Sequence, residues 1–224
     1  KYLDLSSDEI NGLLKQGSED LAALHPGSFE DKDPSSFYEK NVGTAHLFDL
    51  ASWHLESAQY ISETLRLLKM FAHGNVLDFG GGIGTHALFA AALPVVKHVW
   101  FVDLNPQNRE FVKERAESLG LQEKISFYRD INEVGKIIFD FITCLDVLEH
   151  IPDPSAQLKL FRKHMSNDAK ILLNWYFFKG FNSEYPFHYD DPKMIEEFFL
   201  TLQTNYLEVF HPLLITARIY KNKL

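Results

Sequence analysis

A chain of 224 residues is the size of one globular domain, or of one with an added cap, at ~100–200 residues per domain. With 46% hydrophobic and 24% charged residues it is neither disordered nor collagen-like. Asp and Glu outnumber Lys and Arg by 31 to 22, and the net charge of −9 argues against a general nucleic-acid binder, because such a surface repels phosphate backbones. No apolar run approaches the ~20 residues of a membrane span, and KYLDLSSDEI lacks the apolar stretch of a secretory leader. The single cysteine, Cys144, excludes an internal disulfide and a cysteine-only zinc site, and suits a reducing, cytoplasmic setting. Aromatic residues make up 14%, enough to wall a pocket as well as fill a core.

Residues 1–40 are polar and interrupted by HPG at 25–27 and DP at 33–34, so short helices such as 7–16 are expected to wrap over something larger. Residues 44–73 have helical spacing, with Leu47, Leu50, Leu55, Ile61, Leu65 and Leu68 recurring at mostly three- and four-residue intervals. Thr44 is the expected N-cap, and the stretch reads as one long helix or two. Residues 1–73 thus read as a helical cap and substrate lid on a domain over 74–224, the two forming one compact unit.

From Gly74 strands alternate with helices. Strands are expected at 75–79, 98–103, 124–128, 137–145 and 169–178, and helices at 85–93, 106–119, 154–165 and 190–204. The fourth strand, IIFDFITCL, is nearly apolar on both faces, as a central parallel strand should be. Two last strands, 206–210 and 213–220, are separated by only His211 and Pro212, which predicts an antiparallel hairpin. The pattern is a doubly wound α/β sheet of seven strands with an antiparallel last strand.

The first strand runs into Gly80-Gly81-Gly82-Ile83-Gly84, where a helix begins. Ligands of such sheets bind beyond the carboxyl ends of the strands, and glycines let a ligand touch the main chain. Counted from Gly80, the third glycine of a dinucleotide fingerprint falls one position early. Counted from Gly82, the relaxed form is met by Gly82, Gly84 and Ala87, so counting alone does not decide the ligand. Three features do. Asp78, two residues before the turn, faces a cationic group better than a pyrophosphate. Asp103 ends the second strand, where a carboxylate can accept both ribose hydroxyls. The fourth strand is followed by LDVLEHIPDP at 145–154.

With these residues the chain resembles the class I S-adenosylmethionine-dependent methyltransferases over about residues 74–221. VLDFGGGIGT resembles their glycine motif, FVDLNP their ribose motif and CLDVLEHIPDP the motif after strand four. The resemblance implies a Rossmann-like fold and S-adenosylmethionine as cofactor, leaving S-adenosylhomocysteine. It implies that Gly80 and Gly82 approach the methionine portion, Asp78 orients it and the Leu145 carbonyl faces its ammonium. It implies that Asp103 binds the ribose, that Leu104 and Ile131 cover the adenine, and that Asp130 accepts from its amino group. For Asp130 a helix cap is the competing reading.

Methyl transfer from a sulfonium requires in-line alignment at ~3–3.5 Å, and a base only where the acceptor is protonated. His150 is the candidate base, with fixing its own loop as the alternative role. Tyr185, His188 and Tyr189, after the fifth strand, are expected at the acceptor, as are Tyr38 and Trp53 from the cap; Phe37, His46 and His54 could also close the pocket. Trp53 and His54 are adjacent, so one of them is expected in the core. Asp146, Glu149, His150 and Asp153 form one metal-ligand-like cluster, and His188, Asp190 and Asp191 another. Pro152 and Pro154 break any helix there, and no metal is expected. Cys144 reads as buried packing. The acceptor is expected to be a small, natural-product-like molecule methylated on O or N, with the carboxyl of a modified peptide as runner-up. A non-catalytic binder and an NAD(P)-dependent oxidoreductase are the other classes. Neither nucleic acid nor membrane is expected as a partner, and the protein is expected to be a monomer or homodimer.

Overall fold

A computed structural model describes residues 2–24, 34–182, 185–213 and 215–223. Four helices come first: α1 (Ser7–Ala23), α2 (Pro34–Lys40), α3 (Ala45–Glu56) and α4 (Ala58–Phe71). Then follow β1 (Gly74–Phe79), α5 (Thr85–Ala92), β2 (Val96–Val102), α6 (Pro106–Ser118), β3 (Ile125–Tyr128), β4 (Phe139–Cys144), α7 (Pro154–Lys163), β5 (Met165–Leu173), α8 (Pro192–Asn205), β6 (Tyr206–Phe210) and β7 (Arg218–Asn222). Among the described residues no helix is long and apolar enough to cross a membrane. The turns expected at HPG and at Asp33 lie outside the described residues.

One seven-stranded sheet has the order β3-β2-β1-β4-β5-β7-β6, parallel through β5, with β7 antiparallel to both neighbours. Its period-two alternation divides the core. Val76, Phe141 and Leu172 face one cluster, shared with Leu67 and Leu68 of α4, Ala87 and Ala91 of α5 and Val112 of α6. Leu77, Ile142, Ile171 and Leu173 face the other, shared with Leu158 and Phe161 of α7 and Phe198 of α8. Strand order reverses at β1, whose neighbours are β2 and β4, and this opens a crevice at the carboxyl ends.

Several local expectations shift. Residues 44–73 form two helices that meet at Ser57, and the bend throws Leu55 to the solvent at 69% exposure while Leu67 takes up a buried place. Thr44 sits at the N-cap of α3, yet its side chain makes no cap bond. α1 runs seven residues past the expected end. β5 begins at Met165 and ends at Leu173, so 174–178 leave the sheet. The β6–β7 connection spans 211–217 rather than two residues, although the antiparallel pairing is as expected. Cys144 is fully buried.

Candidate functional site

The crevice is a cavity of about 910 Å³. Its floor is the end of β1 with the turn that follows. Gly80 and Gly82 adopt φ of 68° and 54°, open to glycine at no steric cost. A Cβ on Gly80 would run into Val147, and one on Gly82 would lie 2.8 Å from Leu50 Cδ1. The turn is therefore clamped between the loop after β4 and helix α3. The Gly80 N–H donates to the Val102 carbonyl (2.8 Å) and the Gly82 N–H to Asp103 Oδ2 (2.8 Å).

Asp103 is buried. Its Oδ1 accepts from the Asn105 N–H (2.8 Å) and from Asn108 Nδ2 (3.2 Å). Burial pushes its carboxyl up to about 6, against the pull of these donors. Asp78 stands opposite Thr143 in the β1–β4 register, and the Thr143 hydroxyl donates to its Oδ1. Asp78 Oδ2 is buried with no hydrogen-bond partner of good geometry, and burial pushes this acid up to about 6 as well.

Beyond β4, Asp146 holds a left-handed φ of 55°. It is fixed by Asn174, the residue that follows β5. The Asp146 N–H donates to Asn174 Oδ1 (2.6 Å), and Asn174 Nδ2 donates to Asp146 Oδ1 (2.5 Å) and to Tyr60 Oη (2.7 Å). The Tyr60 hydroxyl donates in turn to Asp146 Oδ2 (3.3 Å), tying α4 to the site. Glu149 is 1% exposed, and its Oε2 has no hydrogen-bond partner. Burial, then the charge of Asp146, pushes it up to about 8.

The predicted residues come together in large part. Asp78, Gly80, Gly82, Asp103, Leu104, Asp130 and Leu145 line the cavity, and so do Tyr38, Trp53, Tyr185, His188 and His150. Two do not. Ile131 is 2% exposed and packs in the core with Val102, Val134 and Phe139, because its one-turn 3₁₀ helix, Ile131–Val134, turns that side chain under the sheet. Tyr189 is not on the wall; its N–H donates to the Glu149 carbonyl (2.7 Å). Asp130 does cap that 3₁₀ helix, accepting from the Asn132 N–H (2.7 Å), while also facing the cavity. Trp53 and His54 both reach the cavity, so neither is a core residue, and His46 lines it too. Phe37 packs instead with Leu21 and Val42.

His150, the candidate base, departs from an unperturbed imidazole. Burial first, then His188, lowers it to about 3, so the ring is neutral. Its Nδ1 lies 3.2 Å from the Phe187 carbonyl and 3.0 Å from the Tyr38 hydroxyl. Tyr60, His86, Asn174 and Tyr176 also line the cavity and were not singled out in the sequence. For Asn174 a signal existed: it is the lone amide in AKILLNWYFF, at the end of a strand whose carboxyl end faces the crevice.

Residues 52–183 match the sequence profile of a family described as Methyltransferase domain. A ubiquinone biosynthesis O-methyltransferase of Xanthomonas euvesicatoria pv. vesicatoria is 28% identical over 118 residues, 52% of this chain and 47% of that protein. One of Xanthomonas oryzae pv. oryzae is 31% identical over 121 residues, 51% and 46% of the two chains. The chain thus spans about half the length of the curated relatives it matches. Among solved structures, a provisionally named O-methyltransferase of Nostoc punctiforme has a TM-score of 0.61 at 14% identity, covering 94% of this chain and 69% of that one. A ribosomal protein L11 methylase of Lactobacillus delbrueckii subsp. bulgaricus has a TM-score of 0.54 at 15% identity, covering 75% and 79%. At such identities these structures attest to the fold alone. With the profile running from the end of α3 past β5, over more than half of its residues, the chain belongs to the methyltransferase-domain family of the class I S-adenosylmethionine-dependent superfamily.

Proposed function

We propose that this protein holds S-adenosylmethionine over the glycine turn and transfers its methyl group to an oxygen of a small acceptor beneath the N-terminal helices. One observation carries the reading. A single cavity of about 910 Å³ is lined both by Asp78, Gly80, Gly82 and Asp103 and by Tyr38, Trp53, Tyr60 and Tyr185. That volume is at the upper end of the ~300–1,000 Å³ of small-molecule sites, enough for a cofactor with a small partner. The residues suit the group. Asp78 Oδ2 is a buried acceptor with no hydrogen-bond partner of good geometry, and Asp103 keeps a lone pair beyond its three donors for a ribose hydroxyl. Leu104 and Asp130 would flank the adenine, and the Leu145 carbonyl would meet the ammonium.

Bound S-adenosylmethionine supplies a methyl carbon already activated by a positive sulfur. The chain contributes alignment and exclusion of water, which can be worth several orders of magnitude without a base. Aromatic walls favour a small acceptor that carries a ring. The relatives named O-methyltransferases support oxygen as the methylated atom.

Calorimetry with S-adenosylhomocysteine and, separately, NAD tests the cofactor. One equivalent of S-adenosylhomocysteine bound, with NAD silent, is the expected result, and the reverse overturns the reading. A mass-spectrometric screen of hydroxyl-bearing aromatics, with amines and peptide carboxylates alongside, then identifies the acceptor class.

A further inference from the structure

The two clusters of metal-ligand types that lie apart in the sequence converge in the fold. Glu149 and His150 come from the short 3₁₀ helix after β4, and His188 from the segment between β5 and α8. One ligand atom from each lies within 4.8 Å of the others. Three ligands at ~2.0–2.2 Å from a shared ion lie about 3.3–3.8 Å apart, so side-chain shifts of up to about 1–1.5 Å close the set.

We infer that Glu149, His150 and His188 form a site for a divalent transition-metal ion of the zinc class, bound through one carboxylate oxygen and two imidazole nitrogens. The tautomers argue for it. His150 Nδ1 lies 3.2 Å from the Phe187 carbonyl, and His188 Nδ1 lies 3.0 Å from the Phe178 carbonyl. A carbonyl only accepts, so His188 Nδ1 carries the hydrogen, and His150 Nδ1 does so with the Tyr38 hydroxyl, 3.0 Å away, as its second acceptor; each Nε2 then keeps its lone pair. Pinning one ring nitrogen on a backbone carbonyl is how proteins orient a histidine whose other nitrogen binds metal.

Glu149 Oε2 supplies the independent observation. It is a buried carboxylate oxygen, on a residue 1% exposed, with no hydrogen-bond partner. With Glu149 ionised, a purely hydrogen-bonded cluster would have an Nε2–H donate to it. That would strip the hydrogen from an Nδ1 and set its lone pair against a carbonyl oxygen. A metal ion satisfies the lone pairs of all three side chains at once, whereas a proton on Glu149, which burial favours, satisfies Glu149 and one imidazole only. Two imidazoles beside one carboxylate favour zinc, iron, nickel or copper over magnesium or calcium. All three residues line the cavity, so a fourth coordination position opens into it, as in zinc sites that bind a substrate or water. The Tyr185 ring stacks on His188 at 5.1 Å and 9° and holds it in place.

The inference stands on these residues and does not depend on the proposed reaction. Metal-stripped protein is titrated with Zn²⁺ in a calorimeter and with Co²⁺ in a spectrophotometer. The variants are His188→Ala, Glu149→Gln and, as a control away from the cluster, His164→Ala. One equivalent is expected for wild type and His164→Ala, with visible Co²⁺ bands of a low-symmetry site. Roughly tenfold or greater loss of affinity is expected for His188→Ala and Glu149→Gln. Circular dichroism verifies the fold, and if His188→Ala does not fold, Glu149→Gln and the wild-type Co²⁺ spectrum decide. Absent Co²⁺ bands, or Zn²⁺ affinity unchanged in the folded cluster variants, overturn the site. S-adenosylhomocysteine titrations of the same samples report separately on the cofactor reading.

Discussion

The Gly82 N–H donates to Asp103 Oδ2 over 2.8 Å, so the glycine turn and the acid that ends β2 are one hydrogen-bonded unit. Asp103 therefore shapes the turn as well as facing the ligand. Asp103→Ala leaves the N–H groups of Gly82 and Asn105 without their acceptor, each at ~1–3 kcal/mol if no water replaces it. We expect a lower Tm together with at least tenfold weaker binding of S-adenosylhomocysteine. Calorimetry that finds full affinity in a folded Asp103→Ala protein removes this residue from the ligand's contacts.

At Gly82 the obstacle is twofold. Its φ of 54° disfavours any side chain, and the space a Cβ would take is already approached by Leu50. Gly82→Val is expected to abolish cofactor binding and to push α3 away from the turn. The double variant Gly82→Ala/Leu50→Ala frees the space but not the backbone, so it should recover only part of the affinity. Complete recovery would show that crowding, and not conformation, is what excludes a side chain here.

The pH dependence of stability isolates Asp78. Burial raises its carboxyl from 3.8 to about 6 in the folded protein. The unfolded chain thus loses this proton first, and between about pH 4 and pH 6 rising pH removes stability from the native state. Asp78→Asn cannot ionise. Its unfolding free energy should exceed that of wild type by a margin that grows across this window, on the order of 2–3 kcal/mol at pH 7, while cofactor affinity falls. A margin that stays constant from pH 4 to pH 7 would contradict the assignment.

Asn174→Ala tests the support of the left-handed Asp146. It deletes the acceptor of the Asp146 N–H and the donor to Asp146 Oδ1 and Tyr60. A loss of about 2–4 kcal/mol in urea unfolding is expected from the unpaired buried groups. Tyr60→Phe removes the 3.3 Å bond to Asp146 and the 2.7 Å bond from Asn174 Nδ2, but leaves Asn174 paired with Asp146, and should cost about 1–2 kcal/mol. Equal losses in the two variants would place the support elsewhere.

The chain order of strands and helices was legible because the signals are local. NVLDF before the glycines and IIFDFITCL carry their burial in their own composition. The expected end of β5 falls five residues too late because AKILLNWYFF stays apolar after the sheet ends. Its rings go on to pack elsewhere, Trp175 and Phe177 against Phe198 of α8. Periodicity does not distinguish a strand residue from a buried loop residue. The glycine turn, Asp78 and Asp103 were legible as a site because they lie within one βαβ unit. The meeting of Glu149 with His188, and of Tyr60 with Asn174, was not, since each joins elements distant in sequence that only the sheet order brings together.

The last strand has a consequence for how the protein tolerates trimming. β7 lies between β5 and β6 and pairs with both, so the final pairing of the sheet is an internal seam. Cutting the chain before Arg218 would leave β6 detached and uncover the edge of β5 from Lys170 to Leu173, including Ile171, Leu172 and Leu173. A bare, apolar edge of that kind templates pairing between molecules. Such a shortened protein should be recovered as aggregate, whereas an extension beyond residue 224 leaves the seam closed.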